Sequence, residues 1–176
     1  MNADMKRKTL PRFTAIDFET ADRCGDSACA VAVVTVENGI IVDRAYQLIR
    51  PPRQEFEFTY IHGISWQQVK DQPTFQEAWP SLAGHFERAQ FVAAHNARFD
   101  QRVLAECCAR AGTVPPRIRF ECTVELARRV WRIYPTKLPD VCRCLKIPLN
   151  HHNAASDAEA CAHIVLAAMK DGTVFK

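Results

Sequence analysis

No stretch of this sequence stays apolar for anything like the roughly 18 residues of a membrane span. Residues 1–12 are polar and basic and lack the apolar core of a secretion signal. Among eight cysteines there is no Cys-x-x-Cys pair, and Cys142-x-Cys144 has no second pair to complete a four-ligand zinc site. Without a signal segment, an even cysteine count in a chain of 176 residues does not imply a disulfide framework. The thiols read instead as small core residues kept reduced. Internal repeats, low-complexity tracts and interdomain linkers are also missing. These absences set the expectations: a cytosolic setting, no membrane partner, and one domain over residues 12–170 between a basic tail (1–11) and a short C-terminal tail (171–176).

The composition is that of an ordinary globular chain, 48% hydrophobic and 24% charged, and long enough for a substantial core. Net charge is only +3, but residues 98–146 hold eleven Lys or Arg against five Asp or Glu, a local +6. A basic half would suit a polyanion, although a set of solvated helix faces explains the same count.

The stretch Phe13-Thr14-Ala15-Ile16-Asp17-Phe18-Glu19-Thr20 reads as a buried strand that places two carboxylates on one face near its end, because residues two apart project the same way. Like charges about 4 Å apart repel by roughly 4 kcal/mol at an effective dielectric of 20. Such a pair needs a cation, a proton or good solvation. A turn-rich loop follows at 21–27, then apolar runs at 28–36 and 40–49 joined by Asn38-Gly39, a two-residue hairpin signal. Thr74-x-x-Glu77 has capping-box spacing and predicts a helix over 75–88, with Pro80 positioned to kink or shorten it. A short strand is expected at 91–94, a helix from about Asp100 to Ala111, a strand at 120–123 and helices at 124–131 and 138–145. Ser156-x-x-Glu159 predicts a last helix over 156–169. Strands followed by strand–helix units describe a mixed α/β sheet with helices on its faces.

Four acids thus stand at element ends: Asp17, Glu19, Asp100 and Asp157. An Asp opening a helix is commonly a cap or dipole partner, yet the same dipole keeps it ionised, as a hard-cation ligand must be. Oxygen-only ligands suit Mg²⁺ or Mn²⁺.

Asp17-x-Glu19, Asn96-x-x-x-Asp100 and His152-x-x-x-x-Asp157 resemble, in order, the three exonuclease motifs of the DEDDh branch of the DEDD superfamily, DnaQ-like exonucleases that include polymerase proofreading subunits. Ile61-His62-Gly63-Ile64 and Ala94-His95-Asn96-Ala97-x-Phe99-Asp100 fit the same pattern, which spans residues 13–158. Asn153, rather than Tyr, four before Asp157 selects the histidine branch. The resemblance implies a ribonuclease H-like fold, its first three strands largely antiparallel. It also implies two-metal (Mg²⁺ or Mn²⁺) 3′→5′ hydrolysis of DNA or RNA, releasing nucleoside 5′-monophosphates. By the same resemblance Asp17 bridges both metals, Glu19 and Asp157 complete one site, Asp100 holds the other, and His152 is the general base, with His151 one residue off the motif spacing. Thr20, Ile61, His62 and Phe99 match positions lining the terminal-nucleotide pocket; Ile61 and Phe99 also read as core residues, and His62 as a turn cap. The family's Thr-Thr-Gly is here Thr20-Ala21-Asp22, which calls into question the usual backbone approach to the 3′ nucleotide. The implied partner is nucleic acid with a free 3′ end, single-stranded or frayed. No polymerase-binding extension follows the last helix, so the expectation is a free-standing enzyme or a fragment of a longer protein, and polymerase association stays open. An RNA-trimming exoribonuclease and an idle nucleic-acid-binding module of the same fold are the alternatives.

Overall fold

Phe13 and Ala15 are buried in one apolar cluster, while Ile16 and Phe18, pointing the other way, are buried in a second. A strand apolar on both faces has to lie between two layers, and β1 (Phe13–Thr20) does. The structure, a computed structural model, describes residues 10–175. Nearly all of the expected N-terminal tail and the last residue of the C-terminal one lie outside the described residues.

β1 pairs antiparallel with β2 (Ala28–Glu37), which pairs antiparallel with β3 (Ile40–Leu48). Asn38 and Gly39 turn between them at φ 50° and 80°, as the hairpin signal requires. On its other side β1 runs parallel to β4 (Val92–Ala94), which runs parallel to β5 (Phe120–Cys122). The five-stranded order is β3-β2-β1-β4-β5, so β1 is central. Two short helices, α1 (Thr59–His62) and α2 (Trp66–Val69), follow the hairpin. α3 (Phe75–Ala83) and α4 (Arg98–Arg110) cover the Ile16/Phe18 face. α5 (Thr123–Trp131), α6 (Leu138–Leu145) and α7 (Ala154–Lys170) cover the Phe13/Ala15 face. No described helix is long and apolar enough to cross a membrane.

Three helix boundaries differ from the sequence reading. α4 opens at Arg98, two residues before Asp100. α3 does carry the Thr74/Glu77 capping box, but it ends at Ala83 and tightens into a 3₁₀ turn over Gly84–Phe86, because Pro80 removes one helical hydrogen bond and Gly84 favours the loosened turn. α7 begins two residues early. Asn153 caps it by accepting from the Ser156 backbone N–H (3.1 Å), and the Ser156 hydroxyl accepts from the Asn150 N–H (2.7 Å) instead of capping. Glu159 is drawn away to Arg44 (2.8 Å). Asp157 still falls in the first turn.

α7 is apolar around much of its circumference, since Ala160, Ile164 and Ala168 are buried along with Ala158, Cys161 and Val165. It is the seat of Asp157, so its packing sets the site. Ile164→Ala should cost about 2–5 kcal/mol by lost burial and cavity formation, whereas Ile40→Ala, on the exposed edge strand, should cost within about 0.5 kcal/mol. Denaturant unfolding of both variants checks this; equal losses would mean that α7 is not the packing element described.

Candidate active site

The β1–β4 register pairs Ala15 with Ala93, so two residues further on Asp17 stands level with His95, at the carboxyl ends of two adjacent parallel strands. That end of a parallel pair is where open α/β sheets leave a crevice. Asp17 and Glu19 project toward the α7 face and meet Asp157 there: each of the three brings a carboxylate oxygen within 4.8 Å of the others. Asp100 reaches the same strand end from the opposite face, in the first turn of α4, and its Oδ1 accepts from the Phe18 N–H (3.1 Å). It lies outside the three-carboxylate group but is close enough to raise the pKa of Asp17.

These acids are costly to ionise together. Burial, then the charges of Asp100, Asp157 and Glu19, hold Asp17 well above the usual carboxylate range. Burial, followed by Asp157, pushes Glu19 up to about 7. Burial raises Asp100 against the opposing Phe18 N–H, and raises Asp157 although both neighbouring histidines pull it down. Asp157 uses Oδ2 to accept from His151 Nδ1 (2.9 Å) and from the His152 backbone N–H (3.1 Å). Its Oδ1 is buried without a partner. A cluster of hard oxygen donors with mutual repulsion and one orphaned oxygen fits a divalent cation.

The two histidines make different contacts with Asp157. It is the His151 ring that touches Asp157; the His152 ring stacks on it at 3.8 Å and is exposed, with only its backbone bonded to Asp157. Burial and His151 lower the His152 pKa, which keeps its ring neutral. His62 uses both ring nitrogens: Nδ1 accepts from the Ile64 N–H (3.0 Å), so Nε2 donates to the Thr20 carbonyl (3.2 Å). His62 is therefore a wall brace as well as a pocket residue. The four expected pocket residues do converge, since Thr20, Ile61, His62 and Phe99 line a hollow of about 210 Å³ with Phe18, Glu19 and Phe58.

The loop after Glu19 shows how the chain manages without the family's glycine. The buried Asp22 carboxylate turns away from the hollow to accept from Arg53 Nε (2.8 Å) and the Cys24 N–H (2.7 Å). Arg53 also holds Asp26 (2.5 Å), which Arg110 of α4 grips at 3.1 Å. The Ala21 carbonyl, left facing the hollow's wall, accepts from the Glu57 N–H (2.7 Å) and pins the segment that carries Phe58, Ile61 and His62. Sequence spacing had no signal for this: Asp22 and Arg53 lie 31 residues apart.

Raised acids carry a sign that can be checked. With a folded pKa near 7 against an ordinary 4.5, Glu19 contributes stability that is complete below about pH 4.5 and is lost as pH rises through 7. In EDTA, Glu19→Gln should thus melt above wild type, by a gap that widens from pH 5.5 to 8; each kcal/mol shifts Tm by about 2–4 °C at this size. A gap independent of pH would contradict the site electrostatics.

The description "Exonuclease" belongs to the family model that matches residues 14–165. Exodeoxyribonuclease 10 of Escherichia coli (strain K12) is 31% identical over 162 residues, which cover 86% of this chain and 66% of that protein. DNA polymerase III PolC-type of Thermotoga petrophila is 28% identical over 158 residues, 88% of this chain but only 12% of the polymerase, so the chain spans a small part of such relatives. Among solved structures, exonuclease X in complex with 5′ overhanging duplex DNA superposes with a TM-score of 0.76 at 25% identity, over 93% of this chain and 94% of that one. The mixed sheet is thus the ribonuclease H-like sheet of these exonucleases. With its family motifs gathered at one strand end, and a family model matching most of its length, the chain belongs to the exonuclease family.

Proposed function

We propose that this chain is a divalent-metal-dependent 3′→5′ exonuclease that releases nucleoside 5′-monophosphates from DNA or RNA. One observation carries the reading: two buried carboxylates, Asp100 and Asp157, converge with the half-buried Asp17 and Glu19, and Asp157 Oδ1 is orphaned among them, an arrangement that a binding module facing phosphates has no use for. Asp17, Glu19 and Asp157 would hold one cation and Asp17 with Asp100 a second, Mg²⁺ or Mn²⁺ by the hardness of the donors. When bound, a cation pair supplies charge stabilisation to the attacking and leaving oxygens of an in-line displacement.

The remaining work falls to the chain's own residues. Thr20, Ile61, His62 and Phe99 hold the terminal nucleoside in the hollow beside Glu19. A ring nitrogen of His152, neutral and free of side-chain partners among the described residues, takes the proton of the attacking water. His151, hydrogen-bonded to Asp157, orients that carboxylate. The phosphorus–O3′ bond breaks and the terminal nucleotide leaves as its 5′-monophosphate. A reducing, cytosolic setting belongs to the same proposal, in keeping with eight free thiols, five of them buried.

Asp17→Ala should abolish cleavage while leaving Tm in EDTA equal to or above wild type, since it removes a buried repulsion. Near-normal turnover would remove the metal account. His152→Ala should slow turnover by about 10²–10⁴-fold, the range for a general base, with His151→Ala milder; the reverse order would make His151 the base. The polarity and class are tested with 5′-labelled single- and double-stranded DNA and RNA in Mg²⁺ or Mn²⁺, with products resolved by length. Laddering from the 3′ end, stopped by a 3′-phosphate, is expected. Binding without any product would favour the idle module.

A further inference from the structure

Within residues 98–146, Arg102, Arg110, Arg119 and Arg143 are matched to carboxylates. Arg98, Arg117, Arg128, Arg129, Arg132, Lys137 and Lys146 form no ion pair with a described carboxylate, and all seven are exposed. Arg132 and Lys137 bound one short loop, 132–137, at the end of α5; Arg128 is bonded to that loop and shares a cleft with Arg98. That loop also displays Tyr134, which is 70% exposed.

The loop is held rigidly. Arg128 Nε donates to the Thr136 hydroxyl (3.0 Å), which donates to the Ile133 carbonyl (2.9 Å), and Thr136 is buried. The Thr136 carbonyl accepts from His95 Nε2 (3.0 Å), while His95 Nδ1 accepts from the Thr123 hydroxyl (2.8 Å). Burial keeps that imidazole neutral, its pKa pushed down to about 4, so it serves as a fixed strut. Arg128 also places its guanidinium 5.7 Å from the Tyr134 ring centroid. An exposed aromatic ring braced by a guanidinium, on a loop tied to the strand end level with Asp17, is a built feature and not an incidental surface tyrosine.

The start of α4 links this loop to the reacting carboxylates. Phe99 faces the terminal-nucleoside hollow, and Asp100 points into the carboxylate cluster. Arg98 and Gln101 line a separate cleft of about 590 Å³ with Asn96 and Arg128. Glu121 and Glu125 line the same cleft; Glu121 is paired with Arg119, and Glu125 is the one acid of that lining without an ion-pair partner among the described residues.

We propose that the loop 132–137, together with Arg98 and Arg128, is the surface over which the single strand 5′ to the scissile bond runs, with a base stacked on Tyr134 and phosphates on the arginines and Lys137. The proposal rests on the exonuclease reading above and adds the path of the strand. Phe99 and Arg98 are consecutive at the start of α4, one lining the terminal-nucleoside hollow and the other the cleft, so a strand leaving the hollow has that cleft beside it. Stacking on an aromatic accepts any base, and a flanking cationic track follows the backbone without reading sequence. Such a surface therefore predicts dependence on strand length with little base preference.

The test uses the 176-residue chain and two variants outside the carboxylate site, Tyr134→Ala and Lys137→Gln. Affinity for 5′-fluorescein-labelled dT12, for dT3 and for a blunt duplex is measured by anisotropy, with Ca²⁺ replacing Mg²⁺ to stop turnover. Hydrolysis of thymidine 5′-(4-nitrophenyl) phosphate in Mn²⁺ reports on the carboxylate site alone. Tyr134→Ala should weaken dT12 by about 5–30-fold, and Tyr134→Phe should restore it. Lys137→Gln should flatten the slope of log affinity against log salt by about 0.7. Binding of dT3 and ester hydrolysis should be unchanged in both. Unaltered dT12 binding, an equal loss on the ester, or an equal loss on the blunt duplex would each overturn the surface. If wild type hydrolyses neither ester nor oligonucleotide while Tyr134→Ala still weakens dT12, the surface stands and the exonuclease reading fails.

Discussion

Asp17 sits at the carboxyl end of a strand buried on both faces, with three other acids packed toward it. The desolvation and mutual repulsion of those acids are the terms to which the rest of the molecule answers. At an effective dielectric of 20, two such charges about 4 Å apart cost roughly 4 kcal/mol, and backbone contacts meet only part of this cost. Backbone N–H groups of Phe18 and His152 point at Asp100 and Asp157. The remaining charge is left to protons or to a cation, with Glu19 poised near 7. A site built so is unstable when empty and ionised, which gives it affinity for a divalent ion.

The fold makes this convergence possible. β1 lies at the centre of the sheet, so one of its faces meets α7 and the other α4, and each helix delivers an Asp from its first turn. Between the faces, the parallel β1–β4 pair opens a crevice. On one side of it the Asp22–Arg53–Asp26–Arg110 network anchors the wall that carries Phe58, Ile61 and His62. On the other, His95 and Thr136 anchor the loop that displays Tyr134. Both anchors are polar and hydrogen-bonded, with Asp22 and Thr136 buried, so they add rigidity where a substrate would be positioned.

Much of this was legible in the sequence, for identifiable reasons. The strand β1, the hairpin at Asn38-Gly39 and the first turns of α4 and α7 follow local rules of alternation, turn chemistry and helix periodicity. The four acids could be picked out because each ends an element. What could not be read depends on contacts between distant segments. The capping-box spacing at Ser156 was real, but Asn150 and Arg44 claimed its two members. His62 looked like a pocket residue and is also a brace, a role settled only by Ile64 and Thr20 taking its two nitrogens. His151 and His152 are neighbours, and no spacing rule tells which ring meets Asp157; His151 does, while His152 sits at a positive φ of 65°. Asp22, in the place of the family's glycine, finds its partner in Arg53, 31 residues away, which no local rule gives.

The central claim is that the carboxylates are held partly protonated by burial and repulsion until a cation replaces the protons. Calorimetric titration of Mn²⁺ into the protein at pH 7, repeated in buffers of different ionisation enthalpy, measures the protons released on binding. The account predicts saturable binding with net proton release, which declines toward pH 9 as Glu19 ionises beforehand, and loss of that binding in Asp17→Asn. Binding without proton release, or binding of equal affinity in Asp17→Asn, would contradict it.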